Sequence, residues 1–475
     1  MDLLFYDCVE NRVVKYTSML EILGNMFREA YSNLVEWKDR ASRKPIVLRG
    51  ARQVGKTHLV RQLGKQCFDH FIEFNFDQFP GRVNLFQSSD IREILELIEL
   101  EVGRPVIPGE TLLFLDEIQA APELLPKLRY FYEQFPELHV IAAGSLLEFV
   151  LSKHSFSMPV GRIEYMQLGP MTFEEFLMAV DPAGEKLNQR MMEFTLERGI
   201  PEPVHNKLDR RYLEYLLTGG LPEVVANYAD GKSWLEVTRI QDSLLETYQD
   251  DFAKYRGRVD YLRLRKVFQA IPGLVGKKLK YSSIDREETS RELKRCVELL
   301  ELARVITRVR HSSGNSVPLG AEVKDSDYKP LFLDVGLVSR LLGLSADKLL
   351  AGSGSLPPAL GLLAEQFVGQ HLLYSGPLHL LPELYYWRRQ AKSSNAEVDF
   401  LYAKDDQVVP VEVKSGSTGT LRSLHQFIRS KETTMAVRFN RDPASRHPLR
   451  EHSDSCQLLS LPFYLVGQME RLLSQ

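Results

Sequence analysis

Gly50-Ala51-Arg52-Gln53-Val54-Gly55-Lys56-Thr57 stands between the apolar run Pro45-Ile46-Val47-Leu48 and the stretch His58 to Leu63. Glycines at both ends of a strand-to-helix turn, followed by a lysine and a hydroxyl residue, limit the fold more than any other stretch of the chain. A short buried parallel strand must feed a helix whose N-terminus faces the turn. The glycines let backbone N–H groups point inward around phosphates, the Lys56 ammonium reaches the β and γ phosphates, and the Thr57 hydroxyl ligates Mg²⁺. All eight residues, Gly50, Ala51, Arg52, Gln53, Val54, Gly55, Lys56 and Thr57, are therefore expected to bind ATP or GTP, with ATP and Mg²⁺ as the expected cofactors.

A second apolar run, Thr111-Leu112-Leu113-Phe114-Leu115, ends in Asp116-Glu117. Its form is that of a Walker B strand, in which Asp116 holds the Mg²⁺ shell and Glu117 orients and deprotonates the attacking water. The run Leu138 to Ala143 leads into Gly144-Ser145, which puts Ser145 where a polar sensor of the γ phosphate is expected. Arg162, after Val160-Gly161, is the candidate for an arginine that stabilises transition-state charge, in cis or from a neighbouring subunit. Thr172 is expected to cap a short helix through Phe176. Strand and helix signals alternate from residue 45 to about 180, the rhythm of a parallel α/β sheet.

At 475 residues the chain has room for about three domains. Hydrophobic residues are 44%, charged residues 26%, and the net charge is −3. Disorder and a globally basic nucleic-acid binder are both excluded, so any basic surface must be local. The four cysteines, Cys8, Cys67, Cys296 and Cys456, have no CxxC spacing, which argues against zinc and a disulfide framework and suits a reducing cytosol. No apolar run approaches the roughly twenty residues of a membrane span, and Met1 to Glu10 lacks a basic signal-peptide start. A cytoplasmic protein with no membrane partner is expected.

The stretches Gly50 to Thr57, Leu115-Asp116-Glu117, Ala143-Gly144-Ser145, Gly161-Arg162 and Leu217-Thr218-Gly219-Gly220-Leu221-Pro222-Glu223 occur in the order of a prokaryotic family of AAA-type ATPases, which the chain resembles from about residue 35 to 465. The resemblance implies a helical lid, a winged-helix segment and a C-terminal domain of long-unassigned function similar to restriction endonucleases. Residues 1 to about 30 fall outside it and carry no readable chemistry.

Residues 211 to 255 read as helices broken at Gly219-Gly220-Leu221-Pro222. Between Lys254 and Lys280 stand nine basic residues and one acidic one, interleaved with Tyr255, Tyr261 and Phe268, a composition that can track a phosphate backbone and stack bases. Leu293, Cys296, Val297 and Leu300 then lie at helical spacing ahead of Val305 to Arg310, which resembles the third helix and wing strand of a winged helix. Arg286 to Glu301 balances four basic residues against five acidic ones, so packing or regulation suits this helix as well as reading a groove.

Pro357 to Leu372 reads as an amphipathic helix carrying Glu365. Glu397 to Tyr402 and Val408 to Lys414 read as paired strands joined through Asp405-Asp406, with Glu412 and Lys414 on one face. Asp399 with Glu412-Val413-Lys414 has the form of a PD-(D/E)xK nuclease site, and Glu365 is a further candidate ligand. Asp399 and Glu412 are the expected Mg²⁺ ligands, and Lys414 would position the nucleophile or offset charge on the scissile phosphate. His371 and His425 read as packing or surface residues.

The expected fold is a multidomain α/β chain. Residues 1–40 form an N-terminal helical segment, 41–180 the P-loop ATPase core with a parallel sheet, and 181–253 the helical lid. Residues 254–345 hold the basic segment and winged helix, and 346–475 the nuclease-like α/β domain. The expected function is an ATPase whose nucleotide state controls a Mg²⁺-dependent DNA-binding or nuclease domain. ATP, DNA and further copies of the chain are the expected partners. The alternative is an ATP-switched scaffold or regulatory protein whose nuclease-like domain only binds a partner. A metabolic P-loop kinase fits less well, because Asp116-Glu117 suits hydrolysis and no acceptor pocket is readable.

Overall fold

Each apolar run around the phosphate loop becomes a strand: β1 (Ile46–Arg49), β2 (His70–Asn75), β3 (Thr111–Asp116), β4 (His139–Gly144) and β5 (Glu164–Gln167). They form a parallel sheet in the order β2-β3-β4-β1-β5. The computed structural model describes residues 26–151, 159, 161–231, 233–252, 259–350, 359–389, 396–416, 421–431, 433–449 and 456–475. The expectations for residues 1–25, Val160, Lys254, Tyr255, Arg256 and Arg258, and for the Pro357-Pro358 start of the expected helix lie outside the described residues.

Every residue of β3 is buried, so its alternating side chains must feed two cores. Leu112 and Phe114 join one with helix α1 (Glu29–Asp39) and helix α2 (Lys56–Cys67). Leu113 and Leu115 join another with helix α3 (Ile91–Val102) and helix α4 (Leu128–Gln134). Because β1, β4 and β3 are adjacent, the ends bearing Gly50, Gly144-Ser145 and Asp116-Glu117 converge on one crevice at the carboxyl edge of the sheet.

Thr172 caps helix α5 (Phe173–Val180) in a reciprocal box with Glu175, an arrangement that stabilises a helix start by about 1 kcal/mol. The segment expected as a lid, 181–253, holds helix α6 (Glu202–Thr218), helix α7 (Pro222–Ala229) and helix α8 (Trp234–Asp251). The break lies where expected. Gly219 has φ 72°, and a Cβ on it would lie 1.9 Å from Asp334 Oδ1, so no side chain fits at this turn.

Helix α9 (Tyr261–Ala270) precedes helix α10 (Ser290–Leu302), which Thr289 caps and which buries Leu293, Cys296, Val297 and Leu300. Strands β6 (Ile306–Ser312) and β7 (Val323–Phe332) follow as an antiparallel hairpin. The hairpin is not a free-standing wing. β6 pairs in parallel with β8 (Tyr385–Arg388), which continues the sheet through β9 (Glu397–Lys404), β10 (Gln407–Val413) and β11 (Met435–Asn440). Strands β12 (Ser445–Pro448) and β13 (Gln457–Pro462) complete it in the order β12-β13-β11-β10-β9-β8-β6-β7. One mixed sheet thus crosses the expected boundary at residue 345, because parallel pairing of β6 with β8 brings together runs more than seventy residues apart in sequence.

Helix α11 (Val335–Leu341) and helix α12 (Leu360–Tyr374) tie this sheet to the lid. The expected amphipathic character of the second is corrected: α12 buries Gln366, Gln370 and His371 as well as its apolar residues. Each polar side chain has a partner. Gln366 bonds Phe332 N and O, Gln370 accepts from Val335 N, and His371 Nε2 accepts from Phe173 N at 2.9 Å. The reading of Phe268 is corrected too. Phe268 is fully buried against Phe252 and Phe332, so it is core and not a stacking platform. Arg263 pairs with Glu288, Lys266 with Asp285, and Lys278 with Asp327. No helix among the described residues is long and apolar enough to cross a membrane.

Candidate functional site

The loop after β1 folds as its glycines require. Gly50 has φ 152°, and a Cβ there would lie 2.2 Å from the Leu168 carbonyl oxygen. Gln53 (φ 63°) and Gly55 (φ 91°) also adopt left-handed backbone. Gly55 starts α2, so the N-terminus of that helix faces the crevice. Lys56 is 6% exposed and donates to the carbonyls of Gly50 (3.0 Å) and Ala51 (2.7 Å). Burial pushes its ammonium down to about 8, against the pull of Glu117 and Asp116.

Thr57 Oγ1 donates to both oxygens of Asp116 at 3.2 Å, and Asn75 Nδ2 donates to Asp116 Oδ2 at 3.1 Å. Burial and then the neighbouring Glu117 charge push Asp116 up to about 6. A hydroxyl and a carboxylate brought together by neutral donors are the donor set that hard Mg²⁺ prefers, so Thr57 and Asp116 fit that ion. Glu117 occupies a left-handed backbone position (φ 52°), a placement that only its surroundings can sustain. Gln119 Nε2 donates to its Oε2, and Ser145 Oγ lies 3.4 Å from the same oxygen. The expected sensor and the expected base therefore meet. Arg162 does not join them: it is exposed and bonds Glu133 on α4 at 2.8 Å.

Residues outside the motifs brace the loop. Arg28, 7% exposed, donates to the Val54 and Gly169 carbonyls at 2.8 Å, and its Nε lies 3.0 Å from Glu175. Chemistry was not legible in the N-terminal segment, yet Arg28 holds the loop from beneath. From the lid, Asp251 pairs with Arg52, and Tyr248 donates to the Arg52 carbonyl at 2.7 Å. A Cβ on Gly55 would lie 3.3 Å from Pro222 Cγ at the start of α7.

A second cluster forms where β9, β10, α12 and β7 face one another. Lys414 Nζ lies 2.5 Å from Glu412 Oε1, and Asp399 Oδ2 accepts from Val413 N at 2.8 Å. Glu412 is 3% exposed, and its Oε2 has no hydrogen-bond partner. Burial and then the Asp399 charge push it up to about 8. Glu365 is pushed up to about 7 by burial, with Lys329 opposing. Sequence reasoning missed Lys329 and Glu397. The Lys329 ammonium reaches Glu365 (2.6 Å), Glu397 (3.2 Å) and Asp399 (3.8 Å). Burial works against its charge, but the three carboxylates hold it above its ordinary value. A lysine within the apolar run Tyr328 to Leu333 was its one visible sign. Among the described residues no three His, Cys, Asp or Glu side chains are arranged to hold a metal ion. Glu365, Asp399 and Glu412, expected as ligands, are instead bridged by lysines and in this arrangement do not fit a divalent ion.

Residues 42–177 match the family model described as AAA domain. Residues 209–348 and 360–447 match two models described as domains of unknown function, DUF8612 and DUF4143. No curated protein matches the chain. Solved structures give loose likenesses. The Aeropyrum pernix ORC2 protein in its ADPNP-ADP complexes is 12% identical over 66% of this chain and 91% of its own, with TM-score 0.36. The Thermotoga maritima RuvB Holliday junction branch migration motor is 15% identical over 60% and 90%, with TM-score 0.26. C. elegans PCH-2 is 13% identical over 60% and 70%, with TM-score 0.23. Such likenesses add nothing to the family match. The loop, the paired acids and the five-stranded parallel sheet coincide with the matched segment, and residues 42–177 are an AAA-type P-loop ATPase domain.

Proposed function

We propose that the chain binds and hydrolyses ATP and that the nucleotide state is passed through the lid to the C-terminal domain. The observation that carries this reading is the meeting of Thr57 with Asp116 and of Glu117 with Ser145 at the carboxyl edge of the sheet. Lys56 binds the β and γ phosphates, Glu117 takes a proton from the attacking water, and Ser145 orients Glu117. Thr57 and Asp116 are the residues that would hold Mg²⁺, which when bound offsets phosphate charge. Arg162, exposed beside Glu133, is available to the γ phosphate of a neighbouring copy in a homo-oligomer. Transmission is supported by the bonds of Tyr248 and Asp251 to Arg52, and by Asp334, which accepts from Gly220 N at 2.7 Å and caps α11.

For the C-terminal domain, Asp399, Glu412 and Lys414 on one face support action on DNA under control of the ATPase. A second reading, an ATP-switched scaffold whose nuclease-like domain only binds a partner, is favoured by the lysine bridges across those acids. The test is phosphate release from ATP, together with cleavage of single- and double-stranded DNA, by wild type, Lys56→Ala and Lys414→Ala. Wild type without ATP hydrolysis would falsify the first reading. Hydrolysis with DNA left intact in every variant would select the scaffold.

A further inference from the structure

Three carboxylates from two elements, Glu365 on α12 and Glu397 and Asp399 on β9, surround one point, and the Lys329 ammonium occupies it. Lys329 is 1% exposed, and its Nζ lies 5.1 Å from the centre of the Tyr386 ring and 5.7 Å from that of Phe400. An ammonium has three donors and no acceptor, so this one faces carboxylates and ring faces throughout. A divalent ion would need carboxylate oxygens at about 2.0–2.6 Å, which is the space that the ammonium fills. The adjoining acids are also engaged: Lys414 holds Glu412 Oε1, and the Val413 amide holds Asp399 Oδ2.

We propose that Lys329 is the resident cation of this acid cluster and that its ammonium keeps a divalent ion out. The inference rests on reading Asp399 and Glu412 as a nuclease-like acid pair and adds the cation that stands beside it. Strand β7, which carries Lys329, runs through Leu333 into Asp334, which bonds the lid at Gly220 N and leaves no room for a side chain on Gly219. The lysine is thus anchored to the segment that also grips the phosphate loop.

The probe is Mn²⁺, titrated calorimetrically and by electron paramagnetic resonance into nucleotide-free, full-length protein carrying Asp116→Asn, which removes the phosphate-loop site. This protein is expected to bind no Mn²⁺ that a further Glu365→Gln abolishes. Adding Lys329→Met is expected to create one such site, at least about tenfold tighter than any site before it, and Lys329→Arg is expected not to. A folded Lys329→Met protein without the new site overturns the proposal. If that variant does not fold, the parent decides: a Mn²⁺ site in the protein with Lys329 intact, abolished by Glu365→Gln, overturns the proposal, and its absence supports it. A Lys329→Met variant that takes Mn²⁺ yet leaves DNA intact sinks the cleavage reading and spares this one.

Discussion

Both acid clusters have a buried lysine nearby, yet their charges are arranged in opposite ways. Around Asp116 and Glu117 the partners are neutral: Thr57, Asn75, Gln119 and Ser145. Lys56 stays on the carbonyls of its own loop. Around Asp399, Glu412, Glu365 and Glu397 the partners are lysines. A carboxylate held by neutral donors keeps its charge for a cation that arrives from solution, whereas one bonded to a buried ammonium has already spent it. Carboxylates alone therefore do not make a metal site, and the place of the nearest lysine decides.

The sharpest way to break this contrast is Glu117→Gln. Turnover of ATP is expected to fall about 10²–10⁴-fold with nucleotide affinity nearly unchanged, as for loss of a general base. The same change at Glu412 is expected to leave ATP turnover within about twofold, since it is not part of the phosphate-loop machinery. A turnover loss at Glu412 comparable to that at Glu117 would merge the two clusters into one site.

Stability separates the lysines next. Lys329→Met leaves three carboxylates without their cation and is expected to lose about 3–5 kcal/mol. Lys56→Met removes an ammonium that burial disfavours, and is expected to change stability by no more than about 1 kcal/mol. Urea unfolding midpoints of the two variants give the comparison, and equal losses would contradict it.

His371 tests the joint between the regions. Its ring is buried, accepts from Phe173 N and is pushed down to about 4 from 6.5 by burial. Above pH 6.5 both folded and unfolded forms are neutral, so the group contributes nothing to pH dependence. As pH falls towards 4 the unfolded chain takes up the proton first, and stability falls by about 2 kcal/mol at pH 5. A thermal melt at pH 7 and pH 5 should show a smaller drop for His371→Gln than for wild type. Equal drops would place the ring in water. The smallest effect is expected from Asp251→Asn, which weakens the grip on Arg52 by about 1 kcal/mol. It should slow ATP turnover without unfolding the lid, measured by phosphate release and circular dichroism.

The placement of the phosphate-loop residues and the paired acids was legible because each set is contiguous. A strand, a glycine turn and a helix carry Gly50 to Thr57, and a single strand end carries Asp116 and Glu117. Backbone geometry over a few residues places them, so spacing is enough. Asp399, Glu412 and Lys414 were legible for the same reason, since period two along paired strands fixes their faces. Arg28, Asp251, Glu397 and Lys329 were not, because each meets its partners through contacts between separate elements. Phe268 misled because an aromatic among basic residues reads alike whether it faces solvent or packs in a core.

The sequence by itself determined the edge of the parallel sheet: which strands end in glycines and acids, where the helices after residue 211 break, and which helix Thr172 begins. Only the tertiary structure decided that β6 and β7 complete the C-terminal sheet and that Arg28 and Asp251 grip the loop. It alone also put Lys329 among the acids expected to hold metal. The division follows from range. Turns, caps and strand faces are set by neighbours within a few residues, but the charge that a carboxylate meets is set by whichever distant side chain the packed core brings beside it.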